Sequence, residues 1–396
     1  MSHNFKQITN IYLKGKKVFL RCDLNVPFDD SGILLDDTRI TNLIPIIKYL
    51  IKCRAKIILA SHFGRPKGQY DKKLSLAKIV PYLEKYYGIS IKLVTDILSS
   101  ETAKIIKEVN DNTIVLLENL RFYEGEESND KKFAQQLSQL ADIYINDAFS
   151  CCHRKHASID AITGFIPSYA GLFLQNEIEN LTNVLSFNKK PSTLIIGGKK
   201  ISSKISVLKS LANKMDKIII VGAMANNFLK ALGHEIGDSF YEPNFVQAAK
   251  SLYDKHKDKI LLPCDFVGKD SDHQRFIKDL SDISQGDCIL DIGLNSCKEI
   301  SSAVKDSKIV IWNGPVGFYE EPQYAIGSLH IAKVIAHFTQ YTDLTSIIGG
   351  GDVVAVAKMS GLEHYFSYIS TGGGAFLEFL EKGDLIGLKN LRNEQI

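Results

Sequence analysis

The sequence contains few signals for a membrane, for nucleic acid or for secretion. Its 396 residues carry a net charge of only +3, too small to indicate a general affinity for polyanions. No apolar run approaches the ~18 residues that a membrane-spanning helix needs, and the N-terminus M-S-H-N-F-K-Q-I-T-N lacks a signal-peptide core. The seven cysteines are scattered and odd in number, which is typical of reduced thiols. We therefore expect a cytoplasmic protein that binds neither nucleic acid nor membranes.

Several common catalytic motifs are also missing. The chain has no Walker A pattern G-x-x-x-x-G-K-[ST] and no G-x-G-x-x-G after its first strand, which disfavours P-loop nucleotidases and nicotinamide-dependent dehydrogenases. Cys151, Cys152, His153 and His156 do not have a standard zinc spacing, and adjacent cysteines cannot easily share one tetrahedral ion. We expect no metal centre there, but a loop whose useful residues are His153 and Arg154.

Short apolar runs alternate with amphipathic helical patterns along the whole chain. The predicted strands are 18–20, 56–60, 91–94, 113–117, 142–145, 193–196, 218–221, 260–262, 309–312, 345–348 and 368–370. The clearest helical stripe runs from Ile40 to Ile51. Such alternation gives parallel sheets covered on both faces. We predict two doubly wound, Rossmann-like α/β domains, at residues 1–171 and 172–385, the second beginning with a linking helix at 172–187.

In the first half, the predicted strands end in cationic and polar residues. The ends read R-C-D-L-N-V-P (21–27), S-H-F-G-R-P (61–66), E-N-L-R-F (118–122) and N-D-A-F-S-C-C-H-R (146–154). Ligands of open α/β sheets bind at the carboxyl ends of strands, and guanidinium groups bind carboxylate or phosphate at two points. A single arginine is more often a surface ion-pair partner, but the set indicates a pocket for a small anion. Its candidates are Arg21, Arg39, His62, Arg65, Arg121 and Arg154, with Asp23 and Asn25 suited to a hydroxyl group. Arg21 is the weakest candidate, because it can instead brace its strand.

In the second half, the strands end in glycine. The ends read I-I-G-G-K-K (195–200), W-N-G-P-V-G (312–317), I-I-G-G-G-D (347–352) and I-S-T-G-G-G-A (369–375). A run of glycines can be a tight packing turn, but it also lets backbone N–H groups approach phosphates. Gly372–Gly374 precede a predicted helix at 375–380, and Lys200 and Lys204 would lie one turn apart on another helix. Asp352 is a natural ligand for a nucleotide-bound Mg²⁺. The two halves together predict an enzyme that brings two phosphorylated substrates together.

These motifs, in this order and spacing, resemble the phosphoglycerate kinase family from Lys14 to about Gly387. The resemblance implies reversible phosphoryl transfer in glycolysis, in which 1,3-bisphosphoglycerate and ADP give 3-phosphoglycerate and ATP. It implies small-molecule substrates, Mg²⁺ bound with ADP or ATP, and a monomer. It also implies two lobes that face a cleft and close during the reaction, with a C-terminal tail, about 386–396, folded back onto the first lobe.

The resemblance also assigns roles to individual residues. Those implied to bind phosphoglycerate are Asp23, Asn25, Arg39, His62, Arg65, Arg121 and Arg154. Those implied to bind the nucleotide are Lys204, Asn313, Glu320, Gly350, Gly351, Asp352 and Val353, with Asp352 facing Mg²⁺. Those implied to stabilise the transferring phosphoryl group are Arg39, Lys200, Lys204, Gly372, Gly373 and Gly374.

Departures from the family pattern concentrate in the second half. They are Lys199 and Ser203 in G-G-K-K-I-S-S-K, Asn226 and Asn227 in G-A-M-A-N-N-F-L, Ile289, Leu294, Val353 without a hydroxyl, and Phe376. They bear on nucleotide affinity and base preference. Two alternatives to an active kinase therefore stay open: a relative that binds phosphoglycerate but no longer turns over nucleotide, and, more weakly, a nicotinamide-dependent enzyme of similar fold.

Overall fold

The structure is a computed structural model that describes residues 4–110, 112–186 and 189–393. The chain divides into two compact units, the first running to Thr182 and including the described residues from Asp384 onward, the second spanning Asn183–Gly383. The division therefore falls inside the helix Leu172–Leu185, which the sequence places at the start of the second domain. In the C-terminal segment, Gly387 N donates to Cys152 O at 2.9 Å. Residues 1–3 of the predicted first domain and 394–396 of the predicted tail lie outside the described residues.

The first unit contains a six-stranded sheet in which all neighbouring strands are parallel. The strands are β1 (Lys17–Arg21), β2 (Lys56–Ala60), β3 (Ser90–Val94), β4 (Thr113–Leu117), β5 (Ile143–Asn146) and β6 (Ser168–Ala170). Their order is β3-β4-β2-β1-β5-β6. The α-helices are α1 (Thr38–Thr41), α2 (Ile44–Lys52), α3 (Val80–Tyr87), α4 (Ser100–Glu108), α5 (Glu124–Glu127), α6 (Lys131–Ser138) and α7 (Leu172–Leu185).

The single helical stripe predicted from Ile40 to Ile51 is wrong in one respect, because the structure breaks it into α1 and α2. Pro45 lies in the first turn of α2, where backbone N–H groups form no hydrogen bond within the helix, so the lack of an N–H in proline costs nothing there. The apolar residues of both helices nevertheless face one core, where Ile40 and Leu50 are completely buried.

The second unit contains another six-stranded parallel sheet. Its strands are β7 (Ser192–Ile196), β8 (Lys217–Ile220), β9 (Ile260–Leu261), β13 (Ile309–Asn313), β14 (Thr345–Gly349) and β15 (Tyr368–Ser370), in the order β15-β14-β13-β7-β8-β9. The α-helices are α8 (Ile205–Ala212), α9 (Ala225–Ala231), α10 (Val246–His256), α11 (Leu294–Lys305), α12 (Ile326–Tyr341), α13 (Gly351–Ser360) and α14 (Gly374–Lys382). The predicted fold class, two parallel-sheet α/β domains, is confirmed.

A three-stranded antiparallel sheet in the second unit does not follow from the sequence pattern. It consists of β10 (Asp265–Lys269), β11 (Arg275–Asp279) and β12 (Cys288–Ile292), with β10 in the middle. The register shifts between Val267 and Gly268. No helix in the described part of the chain is long and apolar enough to cross a membrane.

Candidate active site

The residues predicted to bind phosphoglycerate follow four strands that are direct neighbours, β4-β2-β1-β5. We call these residues the arginine group: Asp23 and Asn25 after β1, Arg39 in α1, His62 and Arg65 after β2, Arg121 after β4, and Arg154 after β5. Because parallel neighbours end at the same edge of a sheet, the fold brings these loops together.

Arg39 and Asp23 form the polar centre of the arginine group. Arg39 NH1 lies 3.1 Å from Asp23 Oδ2 and donates to Asn25 O at 2.6 Å. Burial alone would raise the pKa of Asp23, but the charge of Arg39 and a hydrogen bond from Ser150 lower it overall. Asp23 is therefore a carboxylate, and it holds Arg39 while about a third of that side chain remains exposed to a ligand.

Gly64 joins three of the loops. Its N–H donates to Asn25 Oδ1 at 2.9 Å, and its carbonyl accepts from Arg121 NH1 at 2.8 Å. The backbone at Gly64 has φ +61, and an added Cβ would lie 2.6 Å from Leu74 Cδ2. Only glycine fits this turn without strain, so Gly64 sets the distance between the β1 and β4 loops.

Arg121 carries positive charge that its protein partners do not fully satisfy. It is only 2% exposed, and burial followed by the charge of Arg154 lowers its pKa. Its Nε lies 3.2 Å from Glu127 Oε1, but its NH2 has no hydrogen-bond partner among the described residues. A buried donor beside a second arginine is stabilised by an anion. Arg154 is half-buried, with Nε 3.2 Å from His153 Nε2, and Arg65 is exposed.

Two residues that the sequence leaves without a firm role lie beneath this group. Arg21 is completely buried and so cannot line the surface, and Ser150 donates its hydroxyl hydrogen to Asp23. The only feature of the sequence that indicates the contact between Ser150 and Asp23 is the position of Ser150 in the loop after β5. The partner of Arg21, Ser158, lies 137 residues away, and no local pattern predicts that pairing.

The glycine turns of the second half also follow neighbouring strands, β15-β14-β13-β7. Beside them is a cavity of about 470 Å³. Predicted residues Glu320 and Asp352 line it, together with apolar side chains that the sequence does not single out, among them Phe240, Phe266 and Phe318. An apolar slot next to glycine turns that suit phosphates would fit the base of a nucleotide.

Lys204 is held at the centre of these turns. Its Nζ donates to Gly197 O at 2.7 Å and lies 3.4 Å from Asn313 O. Burial lowers the pKa of Lys204 to about 8, against the opposing effect of Asp352. Gly314 makes room for the ammonium group, since its backbone has φ +86 and an added Cβ would lie 2.4 Å from Lys204 Nζ.

The expectation that Lys200 and Lys204 share one helical face is wrong. Residues Ile201–Ser203 form a 3-10 turn, and α8 begins only at Ile205. Lys200 precedes the turn and is exposed, while Lys204 follows it and is largely enclosed. The two lysines therefore have different environments, one free to reach a ligand and one fixed to backbone carbonyls.

The remaining nucleotide candidates lie at the end of β13 and at the start of α13. Asn313 Nδ2 donates to Gly349 O at 2.5 Å, while its buried Oδ1 has no hydrogen-bond partner among the described residues. Gly350 has φ +103, and Gly351 and Asp352 are exposed in the first turn. The side chain of Val353 is completely buried in the apolar core, so the structure excludes it as a direct side-chain contact.

Gly372–Gly374 lead directly into α14, which begins at Gly374 rather than at Ala375. Gly373 has φ +52, and Gly374 is exposed at the positive end of a nine-residue helix. Free N–H groups in the first helical turn suit an anionic phosphoryl group.

Asp352 is suited to a magnesium ion that arrives with a nucleotide. Its carboxylate is exposed, and its one hydrogen bond within the described residues is from Tyr319, at 3.4 Å. Mg²⁺ usually takes one or two carboxylates and completes its shell with phosphate oxygens and water. The described residues contain no cluster of three or more acidic, histidine or cysteine side chains that could hold a metal, so any ion here would depend on the phosphates.

Two α/β units, one with clustered arginines and the other with glycine turns and an apolar cavity at the strand ends, are the arrangement expected of a phosphotransferase. The model of the phosphoglycerate kinase family matches residues 8–383. The phosphoglycerate kinase of Wolbachia sp. subsp. Drosophila simulans (strain wRi) is 44% identical over 399 residues, covering 98% of this chain and 99% of that protein. The cytosolic phosphoglycerate kinase of Triticum aestivum is 45% identical over 383 residues, covering 95% of each chain.

Solved structures agree with these relatives. The phosphoglycerate kinase of Coxiella burnetii aligns with a TM-score of 0.84 at 33% identity, covering 98% of both chains. That of Pyrococcus horikoshii OT3 aligns with a TM-score of 0.85 at 28% identity, covering 97% of this chain and 98% of the other. The chain belongs to the phosphoglycerate kinase family. Membership of this family removes the nicotinamide-dependent alternative.

Proposed function

We propose that this chain catalyses the reversible transfer of a phosphoryl group between 1,3-bisphosphoglycerate and ADP, giving 3-phosphoglycerate and ATP. The observation that carries this proposal is the complementary chemistry of the two units. One presents Arg121 with an unpaired buried donor, and the other presents Lys204 and Asp352 at a glycine-lined edge.

In this proposal, the arginine group binds the carboxylate and phosphate of 3-phosphoglycerate. Asp23 and Asn25 orient the substrate through its hydroxyl group, and Asp23 keeps Arg39 in place. Phosphoryl transfer proceeds through a loose transition state, so alignment and charge neutralisation carry the catalysis, and no covalent nucleophile is needed. Arg39, Lys200 and the start of α14 would neutralise the transferring group.

The second unit binds the nucleotide in the proposal. Its base occupies the apolar cavity, and its phosphates approach Lys204 and the backbone at Gly350 and Gly351. Asp352 would hold Mg²⁺, which would neutralise charge on the phosphate oxygens. If water reached the site, the phosphoryl group could be transferred to water instead of to the substrate. We therefore also propose that the domains close on the bound substrates and exclude water.

The proposal is tested by assay in the ATP-consuming direction. ATP and 3-phosphoglycerate are supplied at millimolar concentrations, and the acyl phosphate formed is reduced by a coupling dehydrogenase with NADH. We expect turnover on the order of 10 s⁻¹ or faster that requires both substrates. The absence of turnover, with 3-phosphoglycerate still bound in a calorimeter, would instead indicate the degenerate relative. The retention of Lys200, Lys204, Asp352 and Gly372–Gly374 argues against that outcome.

Base preference is tested by titrating ATP and GTP in parallel. Phe240, Phe266 and Ile289 supply apolar contact in the cavity, which does not distinguish purines by hydrogen bonding. We therefore propose that the chain accepts both nucleotides, with KM values within about tenfold of each other. We further propose a cytoplasmic location, since all seven cysteines are unbridged, as in a reducing compartment. The monomeric state is proposed from the family resemblance alone. Sedimentation velocity tests the monomer.

A further inference from the structure

Arg21 is a fully buried cation directly behind His62. It is the last residue of β1, where it lies in register with Ala60 of β2 and Asn146 of β5. Its Nε donates to Ser158 Oγ at 2.8 Å, and NH1 donates to Cys22 O. Its NH2 points at the imidazole of His62, 3.4 Å from Nδ1.

This contact determines which nitrogen of His62 can carry a proton. A guanidinium group has only donors and stays charged at every physiological pH, so Nδ1 must accept from it. The thiol of Cys151 lies 3.8 Å from the same nitrogen and can also donate to it. A hydrogen on Nδ1 would face a second hydrogen on Arg21. In a neutral ring the proton therefore lies on Nε2, which forms no hydrogen bond with the described residues.

The surroundings also keep His62 neutral. The side chain is 5% exposed, and burial is the largest cause that lowers its pKa well below the ordinary value. Arg21, Arg121 and Arg39 lower it further, and Asp23 opposes them. A neutral ring with hydrogen on Nε2 is a donor on one side and an acceptor on the other.

Arg21 is itself held by a buried acid. Glu126 is completely buried, with Oε1 3.9 Å from Arg21 NH2. Ser158 connects the two, because its hydroxyl accepts from Arg21 Nε and donates to Glu126 Oε1 at 2.6 Å. The Ser158 N–H also donates to Glu126 Oε2 at 2.9 Å. Fixed at both ends, the guanidinium cannot turn away from His62.

From this geometry we infer that Arg21 is a positioning residue: it fixes His62 as the neutral tautomer with hydrogen on Nε2, so that His62 donates to an anionic oxygen of phosphoglycerate. The second half of this inference rests on the proposed function, while the tautomer does not. Arg21 contacts no substrate in this account. It differs from Arg39, Arg65 and Arg154, which remain open to a ligand.

The tautomer is tested by ¹⁵N NMR of histidine-labelled full-length protein without substrate. The His62 signals are assigned by their loss in His62→Gln. We expect Nε2 to show the shift of a protonated nitrogen and Nδ1 that of an acceptor, unchanged from pH 5.5 to 8. A hydrogen on Nδ1, a mixed population, or a charged ring at pH 7 would overturn the inference, whether or not the enzyme turns over.

The role of Arg21 is tested by its removal. Arg21→Met alone leaves Glu126 buried without its cation, so Arg21→Met/Glu126→Gln is compared with Glu126→Gln alone. We expect a mixed tautomer, a higher pKa of His62, and about a tenfold rise in KM for 3-phosphoglycerate with little change in KM for ATP. In a His62→Gln background, the same substitutions should add less than about twofold. An unchanged tautomer in the folded double variant, or full additivity with His62→Gln, would show that Arg21 acts only on the fold.

Discussion

Arg65 is the member of the arginine group that can be removed with least effect on the fold. It is exposed, and no hydrogen bond within the described residues depends on it. We predict that Arg65→Ala weakens 3-phosphoglycerate binding about tenfold, because a charge-assisted contact is lost. The affinity for ADP should change less than about twofold. Calorimetric titration with each ligand measures both effects.

The matched control for this prediction is Arg54→Ala. Arg54 is also an exposed arginine, but it precedes β2 and so lies at the opposite end of the strand from Arg65. Its removal should leave both affinities unchanged. An equal loss of 3-phosphoglycerate affinity in the two variants would mean that general surface charge, rather than a defined contact at Arg65, attracts the substrate.

Lys200 provides a second prediction at this scale. It is exposed and carries no structural hydrogen bond through its ammonium group within the described residues. We predict that Lys200→Ala lowers kcat on the order of 100-fold while KM values change less than about threefold, because its charge is used in the transition state. Steady-state kinetics in the ATP-consuming direction measures the effect.

Lys199→Ala is the neighbouring control for Lys200. The Nζ of Lys199 lies 5.0 Å from the ring centre of Phe240, and Lys199 lines the cavity proposed for the base. Its removal should therefore raise KM for ATP rather than lower kcat. If Lys200→Ala instead reduced turnover and 3-phosphoglycerate affinity equally, its assignment to the transferring group would not stand.

Among the elements, the N-terminus of α7 is bound by Asp147, a side chain whose protonation depends on pH. Asp147 Oδ1 accepts from Leu174 N at 2.8 Å, and burial raises the pKa of Asp147 to about 7 despite hydrogen bonds from Leu174 and Phe173. Unfolded Asp147 titrates near 3.8, so between about pH 4 and 7 only the folded chain retains the proton. This residue therefore contributes stability at low pH that is lost as pH rises through that window.

We predict that Asp147→Asn removes this contribution. Relative to the variant, the wild-type chain should lose up to about 4 kcal/mol of unfolding free energy between pH 4 and 8, since each pKa unit corresponds to about 1.4 kcal/mol. Urea unfolding of both proteins across this range measures it. The control is Asp216→Asn, where hydrogen bonds from Lys190 and Ser192 overcome the effect of burial and lower the pKa. Because the pKa of folded Asp216 lies below its unfolded value of 3.8, the difference in unfolding free energy between wild type and Asp216→Asn should change little between pH 4 and 8. Parallel profiles for wild type and Asp147→Asn would refute the assignment.

The strand β13 contains a natural reporter of the nucleotide. Trp312, the only tryptophan, is completely buried, and its Nε1 donates to Gly314 O at 2.9 Å. Gly314 is the residue that makes room for Lys204. We predict that Mg-ADP changes the tryptophan fluorescence more than 3-phosphoglycerate does. Steady-state fluorescence titration with each ligand measures the two changes. A larger response to 3-phosphoglycerate would mean that the nucleotide lies elsewhere.

Most of the parallel strands were predicted because they are short apolar runs, such as β1, β2 and β4, which are buried apart from their first residue, whereas the three-residue strand β6 was not predicted. The strand β11 was not, because its residues alternate between exposed and half-buried positions and include Arg275, Lys278 and Asp279. Central β10 contains Gly268 at a register shift, which interrupts its apolar pattern. A strand whose side chains face water on one side and are only half-buried on the other leaves little hydrophobic pattern in a single sequence.

For the whole molecule, the motif positions predicted that the proposed site residues lie at the ends of neighbouring strands, but not which contacts hold them. Parallel order places the loops at one edge, and this follows from the alternation of strands and helices. The packing of Val353 into the core and the pairing of Arg21 with Ser158 depend on contacts between distant segments. Such contacts form between residues that are far apart in the chain, so no local sequence pattern predicts them.

The central claim at this scale is that each unit binds one substrate. It is tested most directly by crossed calorimetric titration of Arg154→Met and Lys204→Met with 3-phosphoglycerate and with Mg-ADP. We predict that Arg154→Met loses at least about tenfold in affinity for 3-phosphoglycerate and less than about twofold for Mg-ADP, and that Lys204→Met shows the reverse. A variant that weakens both ligands equally, or the exchanged pattern, would contradict the division of the two substrates between the units.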